Sequence, residues 1–271
     1  VFVSAQNDSS TDVTIDNASG DLNAVITSSN SSDVNVHIGG EIVIDASGGL
    51  LATTNGELEV DADTSSSATV TLDNVAFVDA SIGSTAATNS DVNLTITEAQ
   101  GNLHDVVINA HTDSTSDITF TSGDISIDHA LDLTATSSDI HVSFGDTNVL
   151  FTNNSGDTAI SLDATYSNIS LDIASASGDV QDITIGAIEG SNVELSLSGE
   201  GINLYGTLGV SADASVVDTT IAALVGSSAD TSAISIVANN NADVDVNIED
   251  LTGSFNTFDI SADQSYTNFS A

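Results

Sequence analysis

Apolar and polar residues alternate at every second position, in short runs along almost the whole chain. A period of two places successive side chains on opposite faces of an extended backbone, so the pattern predicts strands. One phrase recurs: a small polar residue, then Asp or Asn, then Val, Ile or Leu at alternate positions. It reads Ser32-Asp33-Val34-Asn35-Val36-His37-Ile38, and again Ser90-Asp91-Val92-Asn93-Leu94-Thr95-Ile96. Further copies begin at Ser116, Ser138, Ser167, Ser191 and Ala242. Their second residues, Asp91, Asp117, Asp139, Asn168 and Asn192, lie 26, 22, 29 and 24 residues apart, and Asp243 follows after 51. Imperfect periods of about 20–30 residues mark stacked repeats.

Between Asp117 and Phe144, strand-like runs begin at Asp117, Asp124, Leu131 and Asp139, at intervals of 7, 7 and 8 residues. Three short strands per period describe one coil of a right-handed parallel β-solenoid (β-helix) with about 20–30 residues per coil. The expectation is therefore an all-β chain, a single repeat domain over residues 1–271, with about ten or eleven coils at roughly 4.8 Å each. The alternative is a tandem of β-sandwich domains. Such domains need about seven strands per 100 residues and an aromatic core anchor, whereas aromatics are 4% here and Trp is 0. Only Asp218 to Val225 reads as a short helix candidate. The chain starts at Val1 in mid-alternation, as a processed product or a piece of a longer polypeptide would. No run reaches the roughly 18 apolar residues of a membrane span, so no membrane insertion is expected.

Charge then narrows the function classes. Lys+Arg is 0 and Asp+Glu is 40, a formal net charge of −40. Without cations to neutralise phosphate, the chain is not a nucleic-acid binder, and an anionic lipid surface repels it. Cys is 0, which excludes disulfides, cysteine zinc sites and thiol nucleophiles. High charge alone would suggest disorder. However, the hydrophobic fraction is 40%, the mean hydropathy is +0.15, and 32 of the 40 acids are Asp against 8 Glu. That is a folded chain, because a bias to Asp over Glu is wrong for a charged helix or a disordered tail.

Two acidic rows stand out. In Glu57-Leu58-Glu59-Val60-Asp61-Ala62-Asp63, the four acids share one strand face and the apolar residues share the other. Asp243, Asp245, Asn247 and Glu249 form a second row. Same-face neighbours lie about 6.5–7 Å apart and repel by about 2 kcal/mol at an effective dielectric constant near 20. In a solenoid, such rows are expected to lie above the acids of the next coil, which sharpens the conflict. Divalent cations relieve it. Ca²⁺ takes oxygen ligands from carboxylates, amides and carbonyls, so Glu57, Glu59, Asp61, Asp63, Asp243, Asp245 and Glu249 are the candidate metal ligands. His37, His104, His111, His129 and His141 are dispersed without metal-ligand spacing and read as surface residues, His37 and His141 at the same place on the polar face of the recurrent phrase. No G-x-S-x-G elbow or phosphate loop occurs, and no catalytic residue is assigned.

In composition and in phrases such as 191–201 and 243–258, the chain resembles the β-strand-repeat regions of bacterial surface-layer proteins and other large secreted surface proteins. The resemblance implies an extracellular or cell-surface structural protein, not an enzyme. It would be a calcium-stabilised repeat unit that self-assembles into a surface layer, sheath or filament, as a homopolymer through its terminal strands. The alternatives are a stalk segment of a large adhesin and a polysaccharide-active β-helix enzyme using two carboxylates.

Overall fold

The computed structural model describes residues 1–21, 24–45, 57–152, 159–227 and 232–271. Among them there is no helix, and the strands join one parallel sheet that winds into a β-solenoid of about ten turns. The sandwich alternative is excluded, because the ladder pairs are parallel and join strands one coil apart. Each coil has three faces. Face one contains Ser67–Asp73 and Asp91–Thr97, and face three contains Glu57–Asp63, Ala159–Thr165 and Asp182–Ile188. Longer strands such as Asp139–Phe151 and Asn168–Val180 run from face one into face two, and Thr115–Thr136 covers all three sides of one coil.

The alternation in sequence is the alternation in burial. In Ser67–Asp73, Ala68, Val70 and Leu72 are fully buried while the four polar residues face out. No coil can cover its own inner face. Stacking does so, at about 1.5–3 kcal/mol per buried aliphatic side chain. One continuous buried cluster runs from Val3 to Ile248, with Phe120 and Phe144 stacked on adjacent coils at 4.5 Å.

Two inward columns shape the corner between faces three and one. The last inward position of face three is Ala62, Ala86, Ala110, Ala135, Ala164, Ala187, Ala212 and Ala238 on successive coils. Beside it runs a ladder of buried serines. Each serine N–H donates to the hydroxyl one coil further on: Ser32 to Ser66, Ser66 to Ser90, Ser90 to Ser114, Ser114 to Ser138, Ser138 to Ser167, Ser167 to Ser191 and Ser191 to Ser215, at 3.1–3.4 Å. The hydroxyls in turn donate to carbonyls two or three residues upstream, as Ser114 does to His111 at 2.7 Å. These bonds satisfy backbone groups that the tight corner removes from the β ladder. The chain reaches the corner through left-handed residues such as Asn89 (φ 56°) and Asp113 (φ 57°), types that tolerate this region. On face two, Gly123 (φ 137°) is obligatory, since a Cβ there would collide with the carbonyl oxygen of Ala99.

Three sequence expectations require correction. Asp91, Thr115, Asp139, Asn168 and Asn192 share one register position, whereas Asp117 lies two residues further on, opposite Asn93 and His141. The spacing is therefore 24, 24, 29 and 24. A slip of two preserves the alternation, so periodicity alone cannot detect it. His37 and His141, expected at one place in the phrase, occupy different outward columns, opposite Thr14 and Asp117 respectively, because His37 lies four residues after Asp33 and His141 two after Asp139. Finally, Asp218 to Val225 belongs to the strand Val216–Ser227, with Val217, Thr219, Ile221 and Leu224 inward. That strand supplies the coil missing from the 51-residue interval.

Candidate functional site

The outward columns show how a chain with no Lys or Arg stacks its carboxylates. The first column of face one reads Asp33, Ser67, Asp91, Thr115, Asp139, Asn168, Asn192, Val216 and Asp243, so no acid lies directly over another. Where Asn follows Asp, the amide donates along the axis: Asn35 to Asp12 at 2.9 Å, Asn168 to Asp139 at 2.6 Å, Asn203 to Asp179 at 2.8 Å and Asn268 to Asp245 at 3.0 Å. Asn102 bridges Asp79 and Asp128 at 2.7 and 3.1 Å. Charge is thus diluted and hydrogen-bonded by neutral neighbours one coil away.

The expected acidic rows follow the same rule. Leu58, Val60 and Ala62 are buried, and Glu59, Asp61 and Asp63 face out; the side chain of Glu57 lies outside the described residues. Their axial neighbours are not acids. Glu59 lies between Val25 and Gly83, Asp61 between Thr27 and Thr85, and Asp63 beside Ser29. The repulsion within this row is lateral: burial first, then the charge of Glu59, push the Asp61 carboxyl from the ordinary 3.8 up to about 6. In the second row, Asp243 lies between Val216 and Tyr266, and Glu249 is exposed at a corner between the pairs Ile221/Ile248 and Ala223/Asp250.

Only Asp245 meets an acid, and it begins the exception. Glu194, Asp218 and Asp245 lie over one another on three successive coils of face one. No other acid-on-acid contact occurs in the described ladders of faces one and three. The Asp218 carboxyl is pushed above its ordinary range by partial burial, then by the charges of Asp245 and Glu194. A shallow groove on this face is lined by His141, Ser170, Asp172, Glu194, Asp218 and Thr220. It offers carboxylate and hydroxyl oxygens from three coils, the donor set of a hard divalent cation. Sequence reading missed this pair because the coil that carries Asp218 begins at Val216 rather than at Asp or Asn, which hid the acid stacked on Glu194. The signal was the equal 24-residue interval between the two acids.

The histidines are also rearranged. His37 Nε2 lies 3.7 Å from Asp73. His104 and His129, dispersed in sequence, stack at 4.7 Å with an interplanar angle of 19°. Among the described residues no helix is long and apolar enough to cross a membrane. Compared with known proteins, the chain matches no family model, no curated protein and no solved structure.

Proposed function

We propose that this chain is a structural, non-enzymatic protein of the extracellular or cell surface: a solenoid rod stabilised by Ca²⁺ that adds copies end to end into a layer, sheath or filament. The observation that carries the reading is the agreement of the columns at the two ends. Along the inner side of face three, Ile236 leads to Ile260 and Ala238 to Ala262 at one end, while Val3 leads to Ile26 and Ala5 to Ser28 at the other. A second copy docked in register places Val3 on Ile260 and Ala5 on Ala262, continuing the aliphatic and alanine columns. Asn268 would then meet Asp12, which continues the axial amide–carboxylate alternation. Phe258 (48%) and Ile260 (42%), inward-phase residues above Ile234 and Ile236, are exposed and available for such docking.

Parallel strand addition supplies backbone hydrogen bonds, and alternate side chains supply specificity. Charge opposes it, because bodies of this net charge repel at long range. Calcium held by Glu194, Asp218 and Asp245, the place where carboxylates stack without dilution, reduces that repulsion. Glu59, Asp61, Asp63, Asp243 and Glu249 are weaker ligand candidates on this reading.

The test is negative-stain electron microscopy of the purified protein with calcium and with a chelator. Ordered axial polymers should form with calcium, and Ile260→Asp should abolish them while preserving the far-UV β signal. Single rods of wild-type protein at every calcium and protein concentration would overturn self-assembly and favour the adhesin stalk.

A further inference from the structure

At the corner between faces two and three, two adjacent coils carry the same pair of residue types in opposite order: His104-Asp105 on one and Asp128-His129 on the next. The ladder register shifts here, from Leu103↔Ile127 to Asp105↔Ala130, so the second coil contains one additional residue. This bulge brings the imidazoles face to face and crosses the carboxylates. His104 Nδ1 lies 2.8 Å from Asp128 Oδ1, and His129 Nδ1 lies 2.6 Å from Asp105 Oδ1. Asn102 donates to the other oxygen of Asp128 at 3.1 Å, and Ser126 donates to Asn102 at 2.8 Å. The cluster therefore has an outer layer that fixes its members.

An ionised carboxylate only accepts hydrogen bonds, so Asp128 holds the Nδ1 proton of His104 and leaves the Nε2 lone pair of that ring, when neutral, to a ligand. His129 Nδ1 and Asp105 Oδ1 share a proton that a metal ion can displace to water. A histidine whose second nitrogen is held by a carboxylate is the usual arrangement around a bound transition metal. Donor atoms of His104, Asp105 and His129 all lie within 4.8 Å of one another. Both rings are partly open to solvent, with side-chain exposures of 44% and 41%, so an ion can reach them. We propose that His104, His129 and Asp105 form a site for a divalent transition metal of the zinc class, with Asp128 orienting His104 and water completing the shell. Imidazole selects zinc, copper or nickel, whereas oxygen-only sets select calcium or magnesium. The site is thus chemically distinct from the acidic column of face one and does not depend on end-to-end assembly.

Tetrahedral zinc ligands lie about 3.3 Å apart, given metal–ligand bonds of about 2.0–2.1 Å. Binding therefore spreads the His129–Asp105 pair from 2.6 Å and draws the other donors inward by up to about 1.5 Å, which rotation of partly exposed side chains can supply.

The experiment is calorimetric titration of the full chain with Zn²⁺ in millimolar Ca²⁺, which occupies oxygen-only sites. One equivalent should bind through the cluster, with the His104 and His129 ring resonances shifting in NMR. His104→Gln and His129→Gln should each weaken that equivalent at least tenfold, whereas His111→Gln, outside the cluster, should leave it unchanged. Asp105→Asn provides a second variant, and circular dichroism checks the fold of each. Zinc binding that is equal in wild-type protein and both histidine variants, or no stoichiometric binding above the calcium background, overturns the proposal.

Discussion

The backbone N–H of Ser90 donates to the hydroxyl of Ser114 across one coil, at 3.2 Å. Ser114 is buried, and its hydroxyl passes a second bond to the carbonyl of His111 at 2.7 Å. Replacing it with Ala removes the acceptor from one buried N–H and the donor from one carbonyl. Ser114→Ala should therefore lower stability by about 1–2 kcal/mol, read from urea unfolding. The reverse change is available at Ala242, which interrupts the ladder after Ser215. Ala242→Ser should stabilise the protein in the same assay.

The corners supply a second test. Ala214 occupies the left-handed region at φ 51°, where a β-carbon crowds the following carbonyl. Equivalent corners use Asn89 and Asn240, whose side chains tolerate this backbone. Ala214→Asn should stabilise by about 1 kcal/mol, and a lower unfolding midpoint would contradict the strain argument.

The pH dependence follows from Asp61. Its carboxyl is raised from 3.8 to about 6 in the folded chain, so the folded state holds the proton more tightly than the unfolded one. The stability contributed by this group is full below about pH 3.8 and is lost as pH rises through about 6. Asp132, raised by burial and by the charge of Asp105, and Asp218 shift in the same direction. Melting should therefore occur at higher temperature near pH 5 than near pH 7.5. Asp61→Asn should reduce the difference, and an unchanged difference would remove Asp61 from the account.

Calcium should act through the stacked acids. A ligand bound only by the native state stabilises it by about 2.7 kcal/mol at a hundredfold excess over Kd. Wild-type protein should melt at a higher temperature in millimolar Ca²⁺ than in chelator at matched ionic strength. The double variant Glu194→Gln, Asp218→Asn should lose most of that increment while melting at least as high as wild type in chelator, because it removes repulsion. Equal increments in both proteins would reduce the column to solvated charge.

The solenoid was legible because burial follows a period of two and each coil repeats the phrase. The serine of that phrase proves to be the buried ladder residue, and its Asp or Asn begins face one. Register was less legible. Asp117 and Asp91 sit in phrases of identical polarity, and only the corner serine, Ser114 rather than Ser116, distinguishes the correct alignment. The coil at Val216 was hidden because its first residue is apolar and outward, and Ala222-Ala223 at its corner suggested a helix. The histidine cluster depends on a single-residue bulge, which no periodic reading can locate.

The ladders also fix how the rod responds to force. Its backbone hydrogen bonds run along the axis, so tension between the ends loads them in line rather than in shear. A coil at the end then peels away without disturbing the coils behind it. Each release of 24 residues, the commonest spacing, frees roughly 80 Å of chain at about 3.4 Å per residue. A chain built this way lengthens in small, nearly equal steps under load, as a spooled tether does, and rewinds one layer at a time when the load falls.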